Sequence, residues 1–428
     1  MRRTCAAALA ALTACLLAVT PAARGAANDP AQDRQWGMRL IGAPQAWDRG
    51  TGAGVTIAVV DTGVALNHED LAGRLVAGTN IVDPAKPPQD DNGHGTHVAG
   101  IAAASTNNGR GVVSVAPDAM IMPVKVFGAN GKAAEADIVS GVKWAVDHGA
   151  KVVNMSFGDD LQPLLGPGFS DAVRYAWSKG VVSVVAAGNG GGSLVTSSGF
   201  SQENALVVSA VTKNDTKPDY SSDVGQAKWG IAAPGGADKG QPAEDYIFST
   251  VWTKDHPSAP NYYAYMSGTS MAAPHVSGAV AVLLSRGFTP QQAVDRLLAT
   301  AKDIGPAGKD STFGYGRLDM AKAVAGLAPT GGGSTATTVK SATTTTRRPS
   351  KTTQPAKGTA GTVPGTASTN PGATSSTAGT TDTTEGLRIA SPRAGPGSGQ
   401  SGPHPDGSDT KPWLAAAVGL AALAGAAR

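Results

Sequence analysis

Three short stretches of this 428-residue chain carry side chains that could act on one another. IAVVDTG ends an apolar run at Asp61, DDNGHGTHVAG sets His94 and His97 among glycines, and MSGTSMAAPHVSG sets Ser270 just before a helix-like run. Singly, each has a plain structural reading. Asp-Thr-Gly is turn chemistry, and serine at a helix start is commonly its N-cap. A helical zinc pair spaces its histidines i, i+4 around a glutamate, whereas here the spacing is i, i+3 and Thr96 fills the gap, so the pair does not read as a metal site. Together the three stretches say more. A carboxylate closing a parallel strand lies at the ligand-facing edge of such a sheet. A serine at a helix N-terminus sits beside the positive end of the dipole, and Pro274 is placed in the first turn, where backbone N–H groups lack helical partners anyway. Aspartate, histidine and serine on the ends of three elements form a set for acyl transfer. The imidazole takes the proton of a hydroxyl too weakly acidic to attack unaided, and the carboxylate fixes the imidazole tautomer.

The elements that must position these residues are legible in the apolar pattern. VTIAVV (55–60), IMPVKVF (121–127), KVVNMSF (151–157), VVSVVAA (181–187) and ALVVSAV (205–211) are short, valine-rich and mostly non-alternating, as strands buried on both faces are. Between them ADIVSGVKWAVDHG (136–149) and SDAVRYAWSKG (170–180) have helical spacing and are stopped by Gly149 and Gly180. Alternating units of this kind predict an α/β domain over 31–328, a doubly wound, mostly parallel sheet flanked by helices. The formal net charge of +3 leaves no electrostatic footprint for nucleic acid.

The strings IAVVDTG, NGHGTHVAG and GTSMAAPHVSG closely resemble the three signatures of the subtilisin-like serine proteases, the subtilases, in the chain order Asp, His, Ser that subtilisin uses. The resemblance spans about 31–328. It implies a serine endopeptidase acting on polypeptides, with Ser270 as nucleophile, His94 as general base and Asp61 as its orienting carboxylate, and His97 as a packed support. The asparagine of AAGN, Asn189, is implied as an oxyanion donor. NMSFG (154–158) resembles the substrate strand, so that Ser156, Phe157, Gly158, Ala187 and Gly188 are expected to line the pocket before the scissile bond, with room for a medium or large apolar side chain. Asn154-Met-Ser has the glycosylation pattern, but on a buried strand it is expected to stay unmodified. NNGRGVVSVAP (107–117) resembles the family's calcium loop. The implied ligands of a structural Ca²⁺ are Gln32, Asp70 and Asn108 with the carbonyls of Thr106, Arg110 and Val112, the alternative being an Asn-Gly turn with no ion. No cofactor is implied for catalysis.

The sequence also departs from the family. Only a few residues separate Ala27 from QWGMRLIGAPQAW, where many subtilases carry a pro-domain, and GFSQENALVV (199–208) lacks the prolines expected beside the pocket. Two other readings compete with the enzyme: a catalytically silent binding protein on the same scaffold, and a stalk or adhesin whose tail is the working part.

The chain ends have their own composition. MRRTCAAALAALTACLLAVTPAARGAA reads as a signal peptide over 1–27 and holds the only cysteines, Cys5 and Cys15, so the mature protein is expected to have no disulfide. Leu12-Thr13-Ala14-Cys15 is similar to a lipoprotein box, but the apolar run continues past it, as in an ordinary signal peptide. Residues 329–411 are rich in Thr, Ser, Gly and Pro and predict a disordered linker. PWLAAAVGLAALAGAAR (412–428) offers about 15 apolar residues, about 22 Å of helix against a bilayer core of about 30 Å, and is expected to be a short membrane anchor. The whole reads as a secreted monomer tethered to a bacterial membrane or wall. This layout is similar to that of actinobacterial cell-wall subtilases, including the mycosins of type VII secretion, although mycosins carry cysteines in the mature domain.

Overall fold

The computed structural model describes residues 27–157, 167–191, 199–255 and 261–330, together with the backbone of 387–388. The cleaved leader, the rest of the 329–411 linker and the 412–428 anchor expected from sequence lie outside the described residues. Among those described, no helix is long and apolar enough to cross a membrane.

The strands run β1 (Thr56–Asp61), β2 (Thr79–Asn80), β3 (Met120–Lys125), β4 (Lys132–Ala133), β5 (Val152–Met155), β6 (Val182–Ala186), β7 (Ala205–Val211), β8 (Trp229–Pro234), β9 (Ile247–Val251) and β10 (Tyr262–Met266). Seven of them form one parallel sheet in the order β2-β3-β1-β5-β6-β7-β8. β9 and β10 make an antiparallel hairpin, and the backbone of Leu387–Arg388 pairs antiparallel with β4. The helices are α1 (Trp36–Leu40), α2 (Ala43–Ala46), α3 (His94–Ala103), α4 (Glu135–Asp147), α5 (Pro167–Ser178), α6 (Gly199–Gln202), α7 (Thr269–Ser285), α8 (Pro290–Thr300) and α9 (Met320–Ala323).

The two-faced burial expected from the valine runs is present. Ile57 and Val59 of β1 face the core shared with α3 and α7, whereas Ala58 and Val60 face the one shared with α4 and α5. Strand order reverses around β1, with β3 on one side and β5 on the other. Open α/β sheets bind ligands outside the strand carboxyl ends at such a switch point. Asp61 closes β1 there, and Ser156 follows β5.

One strand was not anticipated and one sequence expectation needs correction. WGIAAP, interrupted by glycine and closed by proline, forms β8. Pro274 is the sixth residue of α7, in the second turn and not the first. It therefore costs a helical hydrogen bond, and the freed carbonyl belongs to Ser270.

Candidate active site

Asp61 and His94 meet because β1 and α3 are braced at their ends. Thr62 N donates to Asp61 Oδ1 at 2.8 Å. The Asp90 carboxylate, 1% exposed, accepts Gly93 N and Thr96 N at 3.0 Å each and the Thr62 hydroxyl at 2.8 Å. Gly95 N in turn donates to Thr62 Oγ1 at 2.9 Å. These bonds satisfy N–H groups that a helix start leaves open, and they tie the end of β1 to the start of α3. The approach leaves no room for a side chain at Gly95, where a Cβ would stand 2.1 Å from the Gly63 carbonyl oxygen.

His94 Nδ1 lies 2.7 Å from Asp61 Oδ1, with the two residues 0% and 1% exposed. Nδ1–H therefore donates to the carboxylate, and Nε2 is the basic end of the ring. That Nε2 is buried and has no hydrogen-bond partner among the described residues. His97 belongs to a different contact. It is 0% exposed, and its Nε2 donates to the Ala264 carbonyl on β10 at 3.1 Å, which joins α3 to the hairpin preceding α7. Burial lowers its pKa to about 3, so the ring is neutral. No three His, Cys, Asp or Glu side chains gather as a metal cluster among the described residues.

Ser270 is the second residue of α7 and is 1% exposed. Its hydroxyl donates to the Ser156 carbonyl at 2.9 Å, and no hydrogen bond joins it to His94 in this rotamer. Asn189 follows β6. Its Oδ1 accepts Thr269 N at 2.9 Å and Thr269 Oγ1 at 3.0 Å, which fixes the amide's sense and leaves Nδ2 as its donor end. Thr269 Oγ1 also accepts Gly188 N at 3.0 Å, so one threonine orders the Ala187–Asn189 stretch. Sequence reasoning missed Thr269 and Asp90, although both stand inside the motifs that drew attention to Ser270 and His94.

The expected pocket residues are only partly assembled. Ser156 and Ala187 are 0% exposed, and the Phe157 ring is buried against Phe127 with centroids 5.2 Å apart. The Phe157 ring therefore belongs to the hydrophobic core. Gly158 lies outside the described residues.

At the 106–112 loop the Asp70 carboxylate is 0% exposed and accepts Val112 N at 2.7 Å and Asn108 Nδ2 at 2.9 Å. Burial raises its pKa to about 6. The carbonyls of Thr106, Arg110 and Val112 accept no hydrogen bond from any described residue. Asn108 faces Asp70 with its Nδ2, and its Oδ1 accepts Arg110 N at 2.8 Å within the loop. Among the described residues no hydrogen bond joins the Gln32 side chain to the loop, although the adjacent Ala31 N–H donates to the Gly111 carbonyl at 2.9 Å. The amino-terminal side-chain contacts come instead from Asp29, which accepts the N–H groups of Asn107 and Asn108, and from Gln35, which bonds both ways with the Val113 backbone at 2.8 Å.

With this geometry in place, comparisons with known proteins agree on the kind of protein. Residues 52–316 match the model of the subtilase family. Thermitase of Thermoactinomyces vulgaris is 40% identical over 298 residues, 69% of this chain and 98% of that protein. A thermophilic serine proteinase of Bacillus sp. (strain AK1) is 40% identical over 294 residues, 68% of this chain and 67% of that one. A solved protease structure from Pseudoalteromonas arctica PAMC 21717 aligns with TM-score 0.62 and 31% identity, covering 71% of this chain and 99% of its own. The chain belongs to the subtilase family and is a serine-type endopeptidase.

Proposed function

We propose that the protein hydrolyses peptide bonds through Asp61, His94 and Ser270 by way of an acyl-enzyme. The observation that carries this is the buried 2.7 Å contact of His94 Nδ1 with Asp61 at the carboxyl edge of the sheet, which leaves Nε2 as the base. Rotation about the Ser270 Cα–Cβ bond takes Oγ from the Ser156 carbonyl to His94 Nε2. As Oγ bonds to the scissile carbonyl carbon, its proton passes to Nε2, and Asp61 stabilises the imidazolium. The oxyanion is received by Asn189 Nδ2 and by Ser270 N–H, which has no acceptor one turn back in α7. The imidazolium then protonates the leaving amine. Water, deprotonated by His94, frees the acyl group and restores Ser270.

The substrate binds as an extended strand alongside Ser156 and Phe157, pairing through backbone groups, with Gly158, Ala187 and Gly188 bordering the site of the residue before the scissile bond. The enzyme works as a monomer outside the cell. The 1–27 leader directs export, and the 329–411 linker and 412–428 segment tether it. Digestion of a peptide library by the purified chain tests the activity. Cleavage by the wild type and none by Ser270→Ala is expected, and equal profiles contradict the assignment.

We further place a structural calcium ion at Asp70, Asn108 and the Thr106, Arg110 and Val112 carbonyls. Such an ion neutralises a buried carboxylate and supplies no catalytic step. An ion bound only by the folded form stabilises it by about 2.7 kcal/mol at a hundredfold excess over Kd. EDTA should therefore lower the Tm by several degrees, and Asp70→Ala should abolish the calcium-dependent part of that shift. A Tm indifferent to both EDTA and added calcium removes the site.

A further inference from the structure

Ser270 is buried and, because Pro274 has no N–H, its carbonyl loses the i+4 hydrogen bond of its own helix. A buried acceptor without a partner is costly. The partner comes from across the site, where Ser156 Oγ donates to Ser270 O at 2.9 Å. The Ser156 hydroxyl is itself aimed. It accepts from Asn154 Nδ2 at 2.8 Å, while Ser277 Oγ, two turns along α7, donates to Asn154 Oδ1 at 2.7 Å and so fixes which end of the amide faces Ser156. In return Ser270 Oγ donates to the Ser156 carbonyl at 2.9 Å. Asn154, Ser156 and Ser277 are all 0% exposed. Asn154 lies mid-strand on β5 in register with Val59 and Val184, where a valine would serve the sheet as well. Its amide is needed only for the chain of bonds to α7.

We infer that Asn154 and Ser156 are positioning residues. Through the Ser156 hydroxyl on the carbonyl freed by Pro274, they hold the backbone of Ser270 at a set distance from the strand end that binds the substrate. The inference rests on the reading of Ser270 as nucleophile. Misplacement of a reacting atom by about 1 Å costs about a hundredfold in rate, so a loosened link lowers kcat while substrate binding along the strand persists.

The test uses the full chain, with active sites titrated by a fluorophosphonate and kcat and KM measured on one peptide substrate. Ser156→Ala and Asn154→Ala should each lower kcat by about ten- to a hundredfold, with KM within about threefold. The double variant should be little worse than either single, because both break one chain of bonds. Pro274→Ala separates positioning from simple satisfaction of a carbonyl, since the new N–H can bond Ser270 O within the helix. Added to Ser156→Ala, it should return thermal stability and leave kcat low. Recovery of kcat overturns the inference, as does a wild-type kcat in Ser156→Ala. Should Asn154→Ala not fold, Ser277→Ala replaces it, with a few-fold lower kcat expected and an unchanged kcat counting against the inference. A wild type that is not labelled at Ser270 overturns the nucleophile assignment and this link with it, whereas a labelled wild type with unaffected variants overturns the link alone.

Discussion

Ser270→Ala and His94→Ala should each lower kcat by about 10⁶-fold, the loss found when a subtilisin is stripped of its nucleophile or its base. Neither change should unfold the protein, because each leaves the bracing bonds of Asp90 and Thr62 in place. The informative contrast is His97→Ala. Its Nε2 donates to the Ala264 carbonyl, and truncating this fully buried ring gives up that bond and its packing, a cost of about 1–3 kcal/mol. Stability should fall, while kcat per titrated active site stays within about tenfold of wild type. Circular dichroism melts and active-site-titrated kinetics on the three variants separate these effects. An active His94→Ala beside an inactive, folded His97→Ala reverses the assignment.

The second large effect belongs to Asn189. Replacing it with leucine should lower kcat by about 10²–10³-fold with little change in KM, the size reported for the oxyanion asparagine of subtilisin. The reason lies in the way the amide is held. Thr269 occupies Oδ1 with both its N–H and its hydroxyl, so Nδ2 is committed as a donor before substrate arrives. A preorganised donor acts on charge that exists only in the transition state, which is why kcat and not KM carries the loss. A raised KM at constant kcat would assign Asn189 to ground-state binding instead.

What sequence revealed and what it hid divide by the range of the contacts. The central strands were legible because valine-rich runs buried on both faces leave a continuous apolar trace, and the stops at Gly149 and Gly180 were legible because both adopt positive φ, +95° and +72°. Asp61, His94 and Ser270 stood out because each ends or begins an element in a recognisable string. β8 was lost because Gly230 and Pro234 punctuate a run that the sheet nonetheless buries. Asp29 and Gln35 carry no local signal, and the long-range bond of Asp90 is not written in the motif that contains it. Asp90 braces Thr62, 28 positions earlier, and Gln35 bonds Val113, 78 positions later. Gln35 is 3% exposed and bonded to the loop, a contact that no local pattern in the string announces. The Pro274 reading failed by one helical turn, and that turn decides whether the proline is neutral or frees the Ser270 carbonyl for Ser156.

The central claim is that Ser270 Oγ is made nucleophilic by His94 although the two share no hydrogen bond in the described rotamer. The most direct measurement is reaction of the purified protein with a fluorophosphonate, followed by peptide mapping by mass spectrometry. The account predicts one adduct per chain, located on Ser270, and none in His94→Ala over the same time. An unlabelled wild type, or an adduct on another residue, contradicts it.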